Sequence, residues 1–240
     1  MPPVAEAILK EARTLATACN RLRFSEKVWA VYNTFDYAYP GYEAYVRKYA
    51  GSTKKTLFLG MNPGPWGMAQ TGVPFGEISA VLDWMCLRAD IGKPPREHPK
   101  RPVEGLQCGR SEVSGRRLWG LFSKIFGSPE AFFRGAFILN YCPLAFLLES
   151  GANLTPDKLS AAEKRPLEAA CDAHLRAVID IFQPEMAVGV GGFATQCLQR
   201  LGIPGLKTGT LLHPSPASPV ANREWPERPK AQLAELGLLP

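Results

Sequence analysis

The chain has 240 residues, 46% hydrophobic and 21% charged, which supplies enough apolar material for a sizeable core and rules out a disordered polymer. Its formal net charge of +6, with a pI of about 9.0, admits an anionic partner such as nucleic acid without demanding one. No apolar run approaches the roughly 20 residues of a bilayer-spanning helix, so no membrane partner is expected.

The N-terminal stretch MPPVAEAILKEARTL carries Glu6 and Glu11 among apolar residues and reads as an amphipathic helix. It lacks the basic start and long apolar centre of an export signal. An intracellular protein is therefore expected, in the cytoplasm or nucleoid of a bacterium or the nucleus of a eukaryote. Residues 1–50 are expected to form a helical segment packed on a single domain that spans 1–240. A monomer is expected.

Four apolar runs then read as buried strands: Thr56–Met61, Ala136–Tyr141, Met186–Gly191 and Thr208–His213. The first three are almost continuously apolar, as parallel strands covered on both faces should be. Helical patterns lie between them, at Glu77–Ala89, Ser114–Phe126, Leu159–Phe182 and Gly192–Leu201, with Arg228–Leu236 closing the chain. Pro166 is expected to break or start a helix within Leu159–Phe182. Strands alternating with helices predict an α/β fold, a three-layer sandwich with a four-stranded parallel sheet flanked by helices. The segment Ile91–Glu112, rich in Pro, Gly and charge, is long for a simple connection and reads as a functional or surface loop.

Six cysteines are present and none forms a C-x-x-C pair; the two nearest in sequence, Cys86 and Cys108, lie far outside that spacing. A zinc or iron–sulfur site is not expected, nor are disulfides, and the thiols read as small buried hydrophobes. The turn after the first strand lacks the G-x-x-x-x-G-K-[ST] pattern of a phosphate loop. Gly189-Val-Gly-Gly192 lacks a G-x-G-x-x-G continuation, which argues against a dinucleotide site.

Ligands of open parallel sheets bind at the carboxyl ends of the strands. Three of the four predicted strands end in a side chain with useful chemistry: Asn62 after the first, Asn140 in the second and His213 in the fourth. Each alone has an ordinary explanation, since a strand-end Asn often caps a turn and a lone His is often a satisfied core residue. Together, each followed by Pro within three residues, they point to one cleft. The turn N-P-G-P fixes φ at Pro63 and Pro65 and frees it at Gly64, which suits a turn aiming backbone N–H groups at a ligand. Phe75, in TGVPFGE, reads either as a core aromatic or as a ring offered to a planar ligand.

The segments GMNPGPWGMAQTGVPFGE and LLHPSPASPVANREW resemble the two signature segments of the single-strand-selective monofunctional uracil-DNA glycosylases, within the uracil-DNA glycosylase superfamily. The stretches EHPKRPVEGL, SEVSGRRLWG, NYCPLAFL, GANLTP and ELGLLP are similar to the family as well. The resemblance runs from about Leu57 to the C-terminus. It implies a four-stranded parallel sheet and hydrolysis of the N-glycosidic bond of uracil and some modified uracils in DNA. It implies neither metal nor cofactor, and no lyase step.

By the same resemblance, Asn62 positions the water, Asn140 reads the pyrimidine edge, His213 serves the leaving group and Phe75 stacks on the base. Met61, Gly64 and Met68 contribute to the substrate site. Pro214, Ser215, Pro216, Ala217, Ser218 and Arg223 belong to the wedge that enters DNA. The chemistry is coherent. A base must leave the stack to be excised, and a side-chain amide offers a donor and an acceptor together, matching O4 and N3–H of uracil. Bond breaking leaves negative charge on the base, which a His213 donor at O2 would stabilise. The Asn62 amide is not basic and can only orient a water.

Two positions depart from the family. Ala217 stands where members carry Arg, which puts duplex invasion in doubt, with Arg223 as a substitute; Trp66 stands where Phe is expected. Lys93, Arg96, Lys100, Arg101, Arg110, Arg116 and Arg117 form a basic run that reads either as solvated surface or as contacts to a DNA backbone. Two rivals stay open: a non-catalytic nucleic-acid binder with the same fold, and an enzyme acting on free nucleosides or nucleotides.

Overall fold

Residues 3–240 are described in a computed structural model of the chain. The predicted central sheet is present. Its strands are β2 (Thr56–Gly60), β3 (Ala136–Asn140), β6 (Met186–Val190) and β7 (Lys207–Leu211), all parallel, in the order β3-β2-β6-β7. Every residue of β2 and β3 is buried, which is why both strands are continuous apolar runs rather than alternating ones. β7 is the exposed edge, and there the sequence turns polar, with Lys207, Thr208 and Thr210. The strands stop one or two residues earlier than predicted, so Met61 and His213 belong to the loops that follow.

Helices cover both faces of the sheet. Phe58 of β2 meets Phe122 of α4 (Val113–Phe126) at 5.2 Å between ring centres and Phe132 of α5 (Pro129–Gly135) at 6.1 Å. On the other face, Phe137 of β3 meets Tyr45 of α2 (Tyr39–Tyr49) at 4.8 Å and Phe182 of α6 (Ala161–Phe182) at 5.0 Å. The amphipathic N-terminal helix, α1 (Val4–Asn20), lays its apolar face along α6. The three-layer α/β sandwich follows.

Four features differ from the sequence reading. A second sheet, β1-β4-β5, is formed by the antiparallel strands Ala30–Asn33, Leu144–Leu147 and Asn153–Leu154. These strands are too short for a periodic signal. The predicted helix Glu77–Ala89 is reduced to a single π turn, Ala80–Trp84. Before it, Phe75 adopts a positive φ of 53°; after it, Cys86 does the same at 50°, and neither is compatible with a continuing right-handed helix. Pro166 neither starts nor breaks α6 but lies inside it. The helix is set earlier, by a capping box in which Ser160 and Glu163 each bond the other's backbone N–H. Finally, Gly192–Leu201 forms α7 as predicted and the closing helix Arg228–Leu236 is present as α9 (Glu227–Glu235), but a short helix that the sequence reading did not contain, α8 (Pro219–Glu224), precedes it.

The strand order places the β2→β3 and β6→β7 connections on opposite sides. The topological switch point therefore falls between β2 and β6, and a crevice is expected at their carboxyl ends.

Candidate active site

A cavity of about 580 Å³ opens at that switch point. Met61, Asn62, Gly64, Phe75, Asn140 and His213, far apart in the chain, all line it, as do Ser215 and Pro216.

The register of the sheet brings the first two polar groups together. Gly60 pairs with Asn140 across β2 and β3. Tyr141 N–H then donates to Gly60 O, and Cys142 N–H to Met61 O, both at 2.9 Å, extending the ladder past the strand ends. The turn after Asn140 leads into β4, where Leu144 O accepts from Asn62 Nδ2 at 3.2 Å. A carbonyl partner can only accept, so the Asn62 amide is oriented and its Oδ1 is left for another donor.

Asn140 is buried. Its Nδ2 donates to Met68 Sδ at 3.1 Å, and its Oδ1 is buried without a partner. An unpaired buried acceptor costs roughly 1–3 kcal/mol, so this oxygen has the capacity to accept from one further donor. Gly60 leaves the space for both Asn140 and Phe75: a Cβ there would overlap Asn140 Oδ1 and approach the Phe75 ring at 2.6 Å. The positive φ of Phe75, between Pro74 and Gly76, is the backbone distortion that turns the ring onto this spot.

His213 faces Phe75 with ring centres 6.2 Å apart, and Gly191 makes room for it, since a Cβ on Gly191 would sit 2.9 Å from His213 Cβ. Ser215 N–H donates to His213 Nδ1 at 3.1 Å. Burial lowers the imidazole pKa from 6.5 to about 4. His213 is thus neutral at physiological pH, with its proton on Nε2.

The remaining predicted residues are distributed around this centre. Met68 does not line the cavity; it is fully buried beneath Asn140 and acts as the amide's rest. Pro214 is buried, and Ala217 and Arg223 are exposed. Ser218 caps α8 by accepting from Ala221 N–H at 3.2 Å. The basic run is divided by its partners. Lys93 is engaged with Glu97 at 2.9 Å and with the Val103 carbonyl. Arg96 lies 4.0 Å over the Trp29 ring. Arg117 donates to Pro214 O at 3.1 Å and to Asn222 Oδ1 at 3.0 Å, so it braces the 214–222 segment against α4. Arg101 and Arg110 lie over the Trp66 ring, 5.0 and 4.6 Å from its centre, at the cavity wall.

Asn153 and Glu112 are lining residues with hydrogen-bonding roles that escaped the sequence reading. Asn153 donates to Pro63 O at 3.2 Å and keeps a buried, unpaired Oδ1. Glu112 accepts from Trp66 N–H at 3.2 Å, and burial raises its pKa to about 7. A glycine turn with converging N–H groups is a signal for an anion, but nothing local says which carboxylate fills it. The long loop ending at Glu112 is stapled to the turn by buried Gln70. That side chain donates to Pro65 O at 3.0 Å and Pro102 O at 2.9 Å and accepts from Glu104 N–H at 2.8 Å. Among the described residues, no group of three or more His, Cys, Asp or Glu side chains is arranged to hold a metal. No helix is long and apolar enough to cross a membrane among those residues.

Residues 48–235 match the family model of the uracil DNA glycosylase superfamily. The chain is 48% identical over 240 residues to the single-strand selective monofunctional uracil DNA glycosylase of Bos taurus, covering 99% of this chain and 88% of that protein. It is also 48% identical to the same-named protein of Rattus norvegicus, covering 99% and 86%. A crystal structure of Pedobacter heparinus SMUG2 superposes with a TM-score of 0.72 at 16% identity, over 99% of this chain and 98% of that one, a likeness of fold. Fold, cleft and sequence relatives agree, and the chain belongs to the uracil DNA glycosylase superfamily.

Proposed function

We propose that this chain is a monofunctional uracil-DNA glycosylase that hydrolyses the N-glycosidic bond of uracil, and of modified uracils such as 5-hydroxymethyluracil, in single- and double-stranded DNA. The observation that carries this reading is the convergence of Asn62, Phe75, Asn140 and His213 on one cavity.

The flipped pyrimidine would stack on Phe75 and present its edge to Asn140. The free Asn140 Oδ1 would accept from N3–H, and its second Nδ2 hydrogen would reach O4. As the bond to the sugar breaks, the base gains negative charge at O2. His213 Nε2–H donates there as a neutral imidazole. It gives no proton away, because an imidazole losing that hydrogen would become an anion. Asn62, held by Leu144 O, offers Oδ1 to a water and aligns it on the sugar carbon. Its amide takes no proton, so most of the rate comes from stabilising the departing anion in a desolvated pocket. Met61 and Gly64 frame the base with backbone, and segment 214–218 with Arg223 meets the DNA. A lyase step needs an amine nucleophile, and no lysine is among the residues lining the cavity.

The exposed Ala217 is the one observation favouring a free nucleoside as substrate, since it cannot fill a gap in a helix. The deciding experiment offers a uracil-containing oligonucleotide and deoxyuridine to wild type, Asn62→Ala and His213→Ala, with chromatographic measurement of released uracil as the readout for both substrates and alkaline cleavage of abasic sites as a check on the oligonucleotide. Wild type is expected to release uracil from the oligonucleotide far faster than from deoxyuridine. Each variant should lose about 10²–10³-fold. Full activity in either variant, or equal rates on both substrates, would reject the reading.

A further inference from the structure

Gly64 and Gly67 leave a concavity in the turn that carries Asn62, and the Glu112 carboxyl fills it. A Cβ on Gly64 would overlap both carboxyl oxygens, and one on Gly67 would come within 2.9 Å of the carboxyl carbon. Trp66 N–H donates to Glu112 Oε2 at 3.2 Å, and the Gly67 N–H, which bonds Gly64 O within the turn at 3.4 Å, also faces the carboxyl. Successive N–H groups converging on an oxygen anion form a nest. Glu112 immediately precedes Val113, the first residue of α4, so the carboxyl ties the turn to a rigid helix. It also lines the same cavity as Asn62 and His213.

We propose that Glu112 is a positioning residue for the excision reaction: its ionised carboxylate, seated against Gly64 and Gly67 and accepting from Trp66, holds the turn that aims Asn62 at the water. This role rests on the glycosylase reading above.

Desolvation raises the Glu112 pKa to about 7, the Trp66 and Gly67 N–H groups pull against that rise, and the nearby Glu77 carboxyl adds to it. The other charged groups at this wall are Arg101 and Arg110, both over the Trp66 ring. His213, across the cavity, stays neutral down to about pH 4 and does not titrate in the same window. The holding anion is therefore present above about pH 7 and is lost as pH falls through that value. A neutral carboxyl is a weaker acceptor and brings a hydrogen that finds only N–H donors facing it, so the turn loosens.

Glutamine is the isostere of the protonated acid, which makes Glu112→Gln the informative variant. Two quantities are measured from pH 5.5 to 9: single-turnover uracil excision from a single-stranded oligonucleotide, and the amide chemical shift of Trp66 in the free protein. Wild type should be about fivefold slower at pH 6 than at pH 8.5, as the ionised form gives way to a protonated form about tenfold slower. Glu112→Gln should be flat, at the rate wild type reaches in acid. The wild-type advantage is then about tenfold at pH 8.5 and within about twofold at pH 5.5. The Trp66 amide should titrate near pH 7 in wild type and not in Glu112→Gln. Glu112→Asp, which keeps the charge one methylene short, should retain the acid limb at a reduced rate, and it serves if the glutamine variant does not fold. A constant wild-type to variant ratio at every pH, a Trp66 amide that does not move, or a fully active Glu112→Gln at pH 8.5 would each overturn the role. If no uracil were excised at all, the glycosylase reading would fail with it; the Trp66 titration separates that failure from a misassigned carboxyl.

Discussion

Ser215 N–H donates to His213 Nδ1 at 3.1 Å, and this one bond places the imidazole hydrogen on Nε2, the nitrogen left for the cavity. Burial completes the assignment by lowering the pKa to about 4, so the ring is neutral in the role proposed for it. The expected outcome is a His213 ring whose NMR shifts do not titrate between pH 8 and 5.5. An imidazolium forming near pH 6.5 would contradict it.

Gly60 is the contact point of Asn140 and Phe75, so Gly60→Ala should act on both at once. The added Cβ displaces the amide that would read the base and the ring that would stack on it. Uracil excision should fall by about 100-fold or more, for a stability loss of roughly 1–3 kcal/mol from overpacking. Single-turnover kinetics and thermal melting of the same sample check both parts.

Ala217 is exposed on the segment that Arg117 braces from below, and its N–H is already held by Ser215 Oγ at 3.1 Å. A side chain installed there starts from a fixed backbone. Ala217→Arg should raise excision from paired uracil several-fold more than excision from single-stranded uracil. It should also steepen the salt dependence of duplex binding by about one phosphate contact. Equal gains on the two substrates would remove this segment from duplex entry.

His174 lies in the core between Phe35 and the α6 interior with both ring nitrogens buried and unpaired, and burial lowers its pKa to about 4. The folded chain refuses this proton until about pH 4, while the unfolded chain accepts it near 6.5. Stability is therefore lost as pH falls between those values and is restored above them. His174→Met removes two unsatisfied groups and should stabilise the protein by about 1 kcal/mol at pH 7, and by about 2 kcal/mol more at pH 5. Denaturant melts at the two pH values test the difference; a pH-independent gain would show that the proton linkage lies elsewhere.

The parallel sheet was legible because strands covered on both faces must be apolar throughout, and TLFLG and AFILN stand out from any amphipathic helix. The strands of the second sheet were not legible: Ala30–Asn33 and Leu144–Leu147 are four residues each, shorter than the window over which alternation can be read. Glu77–Ala89 carries a helical pattern that tertiary structure overrides, because Phe75 must turn its ring into the cavity and the chain leaves it in a left-handed conformation. Pro166 was misread because a local rule about proline is weaker than the capping box that starts α6 six residues before it.

By itself the sequence determined the sheet, the family pattern and the three polar residues at strand ends, since those depend on residue type and spacing along the chain. The tertiary structure decided which way each group points and what charge it carries. Leu144 O orients the Asn62 amide, Met68 Sδ supports Asn140, Ser215 N–H selects the His213 tautomer, and the glycine turn selects Glu112 as its anion. Amide orientation, tautomer and pKa are set by the partners and the low dielectric around a group, and both exist only after folding has brought distant segments together.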